Sequence, residues 1–472
     1  MTTISHQAEG IAAGPVFDTL KAAFAGRLLV PADPDYDQAR RTWNAAIDRH
    51  PAIVARCGSP GDVVAAVRFA AKTGALVAVR AGGHSLPGHS TCDGGLVIDL
   101  SGMRGVSIDA DRRVAIVEAG ATWADLDRAA SQVGLATTGG LVSHTGVAGL
   151  TLGGGIGWLM RKYGLSCDNL AAAEVVTATG EVVHTSDSEH ADLLWGLCGG
   201  GGNFGVVTSF EFRLHPVAEV LGGLALFPID RAPDILRRYR DWQASLPDEM
   251  TTMAALLFAP PEPFVPAGLV GEPVLAVLAC HCADPAAGRE LLRPITELGP
   301  AVNMFAEMPY LALQGMLDGG APPGLQNYFR AGYLNELSDD FIAVALEHFT
   351  RAPFPMDAVH IHQLGGAVAK AASESTAFGN RDAAFAFNVI ATTPDPSLQE
   401  AQVKWARTLA DALEAFGTGG VYVNFLGDEG EGRVRAAYGE SRYDRLVQLK
   451  DRYDPGNLFR LNQNIPPSRN SG

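Results

Sequence analysis

The residues that could do chemistry in this chain gather around glycine. In the stretch AVRAGGHSLPGHSTCDGGLVIDL (78–100), Arg80 ends an apolar run, Gly82 and Gly83 follow, His84 and Ser85 come directly after them, and His89 lies five residues beyond His84. Glycine permits positive φ and close backbone approach, and consecutive N–H groups in such turns form an anion-binding concavity. A neutral imidazole nitrogen set beside that concavity is a competent nucleophile toward an electrophilic carbon. Two further clusters, GGLVSHTGVAGLTLGGGIGWL from residue 139 and GGGGNFGVVTSFEFRL from residue 199, also adjoin expected strands. Glycine clusters are commonly plain turns, but three of them beside strands imply an extended, phosphate-bearing ligand.

Familiar nucleotide motifs do not account for these loops. No strand–GxGxxG–helix unit with a later acidic residue is present, nor a GxxxxGK[ST] loop. GGGGNFG follows an expected helix and precedes a strand, the reverse of the Rossmann order.

The elements that must position the loops are readable on each side. Ser59 and Pro60 open a helix with Val63, Ala66, Val67, Ala70 and Ala71 on one face, and Gly74 closes it. ALVAV, GGLVIDL and VAIVEAG read as strands, and TWADLDRAASQVG as an amphipathic helix ended by Gly134. AAAEVVTATGEVVHTS reads as a strand pair turning near Thr179-Gly180, and Ala191, Leu194, Trp195 and Cys198 recur at helical spacing. After about residue 217 proline becomes frequent and the glycine loops largely cease, which marks a second domain. It holds long strands such as PVLAVLAC and AAFAFNVIATT and the helix SLQEAQVKWARTLADALEAFG. The tail ESRYDRLVQLKDRYDPGNLFRLNQNIPP reads as a helix stopped by Asp454-Pro455-Gly456-Asn457, then a short strand-like close.

Composition narrows the class. A chain of 472 residues has two domains as its prior, and 54 glycines exceed the roughly 7% average. A formal charge of −16 argues against nucleic acid as partner. Six cysteines are too sparse to staple the chain, which fits a reducing compartment. Cys280-His281-Cys282 continues a strand-like run without a second pair at zinc spacing, so it reads as packing and no metal is expected. No secretory leader and no stretch of ~20 apolar residues is seen, so a cytoplasmic location without membrane association is expected.

RAGGHS (80–85), HTGVAGLTLGGGIGWL (144–159), GGGGNFGVVTSFEFRLHPV (199–217) and YGESRYDRLVQLKDRYDPGNLFRLNQNIPP (438–467) together resemble the flavin-linked oxidases of the vanillyl-alcohol oxidase and para-cresol methylhydroxylase superfamily. The branch resembled is berberine-bridge-enzyme-like, in a bacterial group similar to 6-hydroxynicotine oxidase, and the likeness runs from about residue 35 to the end. It implies an α+β fold of PCMH type. An FAD-binding domain (1–216) would be completed by a returning C-terminal segment (418–472), with a substrate domain (217–417) of antiparallel sheet flanked by helices inserted between them.

The resemblance also implies a set of FAD contacts. The first loop supplies Arg80, the pyrophosphate-cradling Gly82 and Gly83, His84 as the covalent link to the flavin 8α-methyl, and Ser85. His89 either hydrogen-bonds near the flavin or packs in the loop. The second loop supplies Val142, Thr145, Gly146, Gly149, Leu150, Gly153, Gly155 and Gly157, followed by Asn169 and Leu170. The third supplies Gly202, Asn203, Gly205, Val206 and Val207, and the tail supplies Asn462. Many relatives link the flavin a second time through a cysteine upstream of the second glycine run. Val142 stands there, and no cysteine occurs between Cys92 and Cys167, so a single link is expected, with the lower potential and more open site the resemblance attaches to it. His144 is then either an active-site polar group or a loop residue.

Once flavin takes the hydride, the protein must orient a C–H bond and manage one proton. Alcohol-oxidising relatives use a tyrosine in a YxNY strand. This chain reads YVNF, so Tyr422 and Asn424 match and Phe425 replaces the second tyrosine. That departure tilts the reading toward amine oxidation, since a neutral amine needs no base to release hydride. In HIHQLGGAVAKAASESTAFGNRDAAFAFNV, His360, His362, Gln363 and Asn388 alternate with apolar residues, and period-2 spacing puts His360 and His362 on one face. That face is either the pocket wall or a solvent-facing edge. Tyr333 and Tyr438 are further candidates, as active-site groups or as core. The expected function is an oxidase using O2 and giving H2O2, acting on a small amine or a hydroxylated secondary metabolite, as a monomer or homodimer. An alcohol or saccharide oxidase is the alternative within the family, and a flavin carrier without turnover is the alternative outside it.

Overall fold

The computed structural model describes residues 11–372 and 374–468. Its first layer is a four-stranded sheet in the order Arg27–Leu29, Ile53–Arg56, Leu96–Asp99, Val77–Arg80, the last three strands parallel. The helix Pro60–Thr73 provides the crossover between Ile53–Arg56 and Val77–Arg80. It begins and ends where local chemistry dictates: Ser59 Oγ accepts from the Asp62 amide at 3.3 Å, Pro60 takes the first helical position, and Gly74 closes the last turn at φ 67°.

The second layer is a five-stranded antiparallel sheet in the order Val106–Asp109, Val114–Glu118, Val206–Arg213, Leu170–Val176, Val182–Ser186. Residues on Val114–Glu118 alternate between core and surface, with Ala115 and Val117 inside and Ile116 outside. The helix Pro60–Thr73 and these two sheets share one hydrophobic core with residues of the tail helix Glu440–Tyr453, among them Tyr443, Leu446 and Leu449.

Residues 219–393 build an eight-stranded antiparallel sheet. Its order is Val302–Asn303, Glu219–Pro228, Pro273–His281, Met250–Phe258, Ala358–Gln363, Phe385–Thr393, Gln326–Leu334, with Ala306–Pro309 also paired to Glu219–Pro228. Helices Ala232–Gln243, Pro285–Thr296, Asp339–Phe349 and Gln399–Glu414 cover one face, burying Val277, Leu256, Ile361 and Phe387. The other face looks toward the glycine loops. An α+β architecture results.

Arg161 fastens the halves. Its buried guanidinium donates to the carbonyls of Met250 (2.8 Å), Leu246 (3.1 Å) and Leu364. Cys280 and His281 end the central strand Pro273–His281, buried as packing residues. Two expected elements take other forms. The YVNF segment is a single 3₁₀ turn, Val423–Phe425, instead of a strand, because Tyr422 and Asn424 bond to the second glycine loop. The chain after Tyr453 makes no strand among the described residues, since Asp454 gathers the amides of Leu458 and Phe459 into a turn.

Candidate active site

A cavity of about 1560 Å³ lies between the glycine loops and the uncovered face of the large sheet. Drug-sized ligand pockets run to roughly 1,000 Å³, so this one has room for a dinucleotide and a second molecule. Among the described residues no lysine or arginine lines it, and its acids are Glu262 and Asp357. An anion held there must be held by amides.

The first loop is built for that. Val77–Arg80 delivers the chain to Gly82, whose backbone abuts Gly146 so closely that a Cβ on Gly82 would lie 2.3 Å from the Gly146 nitrogen. Gly83 takes φ 70°, a conformation glycine favours. Its carbonyl accepts from Trp43 N at 3.1 Å, while the amides of Gly83, His84 and Ser85 find no acceptor among the described residues. Ser85 Oγ accepts from the His89 amide at 3.0 Å.

His84 faces the cavity with its ring stacked on Trp43, centroids 4.9 Å apart, and its Nε2 3.1 Å from His144 Nδ1. Burial, helped by the neighbouring imidazole, holds His84 down to about 3, so it is neutral. His144 lies behind His84 instead of on the cavity wall, with its Nε2 buried and unpaired. His89 lines the cavity, its Nδ1 unpaired, held down to about 4 by burial.

The second and third loops bring Val142, Thr145, Gly146, Gly149, Leu150 and Gly153 to the cavity, then Gly202, Gly205, Val206 and Val207. From the tail come Tyr422, Asn424, Tyr438 and Asn462. The Tyr422 oxygen accepts from the amides of Gly155 (2.9 Å) and Ile156 (3.1 Å) and from Asn424 Nδ2 (2.8 Å), while Asn424 Nδ2 also donates to Leu150 O at 2.9 Å. Burial raises Tyr422 to about 12. Its oxygen thus takes three hydrogen bonds that hold the glycine loop in shape. Tyr438 OH and Asn462 Oδ1 are buried with no partner among the described residues, whereas Tyr333 is core.

Several residues expected at the cofactor hold the loops from behind. The Arg80 guanidinium pairs with buried Asp99 at 2.7 Å. Asn169 bonds to His215 at 2.6 Å and to the carbonyls of Leu165 and Tyr163, and Leu170 is core. Asn203 ties its loop to the tail, donating to Gln463 O at 3.2 Å and accepting from Ile465 N at 3.0 Å. Gly155 and Gly157 make room for Ser166 and the Gly139 carbonyl. Glycine density shows where backbones crowd, not whether the neighbour is ligand or chain. Trp43 is the residue sequence reasoning missed, for it lies outside every glycine cluster.

On the sheet side, His360, His362 and Asn388 reach the cavity, while Gln363 points to the opposite face and bonds to Thr252 at 2.8 Å. Burial pushes His360 to about 4 and His362 to about 3. His362 Nε2 and Asn388 Oδ1 have no partner among the described residues.

These imidazoles set a pH dependence. His84, His89, His215, His360 and His362 stay neutral in the fold down to about 4 or below, yet titrate near ~6.5 once unfolded. Below that pH the unfolded chain binds more protons, so stability falls as pH drops from about 6.5 toward 4. Asp127 and Asp357, raised by burial to about 8 and about 6, act oppositely, but two carboxyls oppose five imidazoles. Thermal melts are expected to shift down by several degrees per pH unit across that window. A melting temperature that holds steady to pH 5 would mean the imidazoles are charged in the fold.

The cavity fits a flavin dinucleotide. Free amides suit a pyrophosphate, glycine cradles admit its close approach, and unpaired Tyr438, Asn462 and Ser90 atoms remain for polar ring and ribityl groups. Comparisons with known proteins agree. Residues 51–186 match the family described as FAD binding domain, and 421–466 match Berberine and berberine like. The FAD-linked oxidoreductase YgaK of Bacillus subtilis is 32% identical over 461 residues, covering 96% of this chain and 99% of that one. The (R)-6-hydroxynicotine oxidase of Paenarthrobacter nicotinovorans is 32% identical over 463 residues, 94% and 97% of the two chains. The crystal structure of 6-hydroxy-D-nicotine oxidase from Arthrobacter nicotinovorans superimposes with a TM-score of 0.84 at 26% identity, over 97% of this chain and 100% of that one. No helix among the described residues is long and apolar enough to cross a membrane.

Proposed function

Because the chain belongs to the FAD-linked oxidoreductases of berberine-bridge-like type, we propose that it is an oxidase acting on a small organic amine or hydroxylated metabolite, with O2 as acceptor and FAD linked once, through His84. The observation that carries this reading is the His84–His144 pair at the mouth of the amide cradle. When His84 donates its Nε2 hydrogen to His144 Nδ1, the lone pair on His84 Nδ1 is free, and burial keeps the ring unprotonated. Stacking on Trp43 fixes the ring plane. A single link is supported by the six cysteines, all buried and none on the cavity wall, and by Val142 on that wall.

FAD, when bound, supplies hydride acceptance. The chain's own residues do the rest. Gly83, His84 and Ser85 offer amides to an anion, Tyr422 and Asn424 hold the loop of Leu150–Ile156 in place, and the neutral His360 and His362 can accept a hydrogen bond from a substrate O–H or N–H. Acid precipitation of the purified protein tests the linkage. Flavin absorbance is expected in the pellet from the native protein and in the supernatant from His84→Ala. Native flavin in the supernatant would remove the role given to His84, and a native protein without flavin would sink the oxidase reading.

A further inference from the structure

The sheet wall of the cavity divides into a polar end and an apolar end, and the division follows strand register. His362, Met253, Leu278 and Leu224 lie opposite one another on successive strands, and so do His360, Ala255, Ala276 and Leu226, with Asn388 paired to His360 beyond. Each row crosses three strand spacings of ~4.8 Å, about 14 Å in all. Every one of these side chains lines the cavity. Polar atoms are confined to the first strands of each row.

The apolar wall continues past the Leu224 and Leu226 strand. Met308 lies on Ala306–Pro309, paired to that strand, and Met304 N donates to Leu224 O, while Met316 and Leu317 also line the cavity; with Met253 and Met356, five of the chain's nine methionines are on its lining. Methionine adapts its shape to irregular apolar ligands. At the rim Phe264, Val270 and Met304 are exposed, which continues the apolar surface to solvent. Charge is nearly absent. The Asp357 carboxylate accepts from Thr392 N, Phe354 N and Gln402 Nε2, and Glu262 is exposed. An ammonium or carboxylate carried to the polar end would be desolvated without a free counter-charge.

We propose that this cavity takes an uncharged, elongated hydrophobic substrate whose single hydrogen-bonding head is read by His360, His362 and Asn388 while its apolar body lies along the Met253–Leu224 and Ala255–Leu226 rows. His362 and Asn388, 3% and 2% exposed and unpaired at Nε2 and Oδ1, are the atoms that select the head. A polyhydroxylated chain finds no partners along those rows, and each of its hydroxyls would lose water without replacement. The inference rests on the oxidase reading and sharpens its substrate from amine or alcohol to a neutral, apolar-bodied alcohol.

Calorimetric titration of the flavin-containing protein near neutral pH tests this with 4-biphenylmethanol, 4-biphenylmethylamine, biphenyl-4-carboxylate and cellobiose. The alcohol is expected to bind at least about 10-fold more tightly than the charged analogues, and cellobiose not at all. Met253→Gln is expected to weaken the alcohol about 5-fold or more with flavin content unchanged. The ligand ranking in the native protein stands alone if that variant does not fold. Equal or tighter binding of the amine, the carboxylate or cellobiose, or no binding of the alcohol, would overturn the proposal. A protein without flavin that still ranks the ligands this way would overturn the cofactor reading and leave the substrate class standing.

Discussion

Gly82→Ala is expected to strip the protein of flavin. The added Cβ would sit 2.3 Å from the Gly146 nitrogen and 2.6 Å from its Cα, and the contact is reciprocal, for a Cβ on Gly146 would lie 2.5 Å from the Gly82 nitrogen. Both neighbours are backbone, so no side chain can rotate away. Overpacking costs ~1–3 kcal/mol, and a clash of two main chains belongs at the upper end, roughly 100-fold in an equilibrium constant. The first loop must lift off the second, carrying the amides of Gly83, His84 and Ser85 with it. Flavin content per chain, read from absorbance, is expected to fall about 100-fold, with a lower melting temperature. Gly149→Ala and Gly202→Ala supply the contrast, because the protein leaves open space at both positions and both line the cavity. Loss of flavin there with an unchanged melting temperature reports contact with the cofactor. Native flavin content in Gly82→Ala would show that the loops do not need their close approach.

Lys450→Met is expected to cost about 3–5 kcal/mol, the range for removing one partner of a buried ion pair. Lys450 and Asp454 are both fully buried, 2.7 Å apart, and Lys450 also donates to Asn203 O and Phe459 O at 2.9 Å each. The same carboxylate accepts from the amides of Leu458 and Phe459, so losing the ammonium leaves a buried charge at the hub of the tail. Chemical denaturation of the single variant, of Asp454→Asn and of the double variant closes a cycle. The double variant is expected to recover a large part of the loss, since it removes the stranded charge. A cost below about 1 kcal/mol for Lys450→Met would mean the pair does not hold the tail.

Much of this was legible where a signal is local. The helix Pro60–Thr73 announces itself through Ser59, Pro60 and Gly74, and the strand Pro273–His281 through its apolar run. The loop His84 occupies could be placed just past a strand, because the apolar run ends at Arg80 and the glycines that follow disfavour continuing it as strand or helix. What could not be read was set by contacts between distant segments. Arg80 points at Asp99, and Asn169 at His215, because parallel pairing and sheet-to-sheet packing put those partners there. Tyr422 and Asn424 were recognised by type, yet their hydrogen bonds to Gly155, Ile156 and Leu150 turn an expected strand into a 3₁₀ turn. The alternation of His360 and His362 identified a face, and only register with Met253 and Ala255 shows which face and what continues it.

The clamp at Lys450 bears on how the protein is made. The three glycine loops leave the ribosome first, and the side of their cavity formed by Tyr422, Tyr438 and Asn462, with the lysine that secures it to Asn203, emerges only after the large sheet. Between them lies the large sheet, which is synthesised before those residues arrive. A chain that has grown only as far as the large sheet thus carries the binding loops without the residues that close their cavity, and closure waits until Lys450 has emerged.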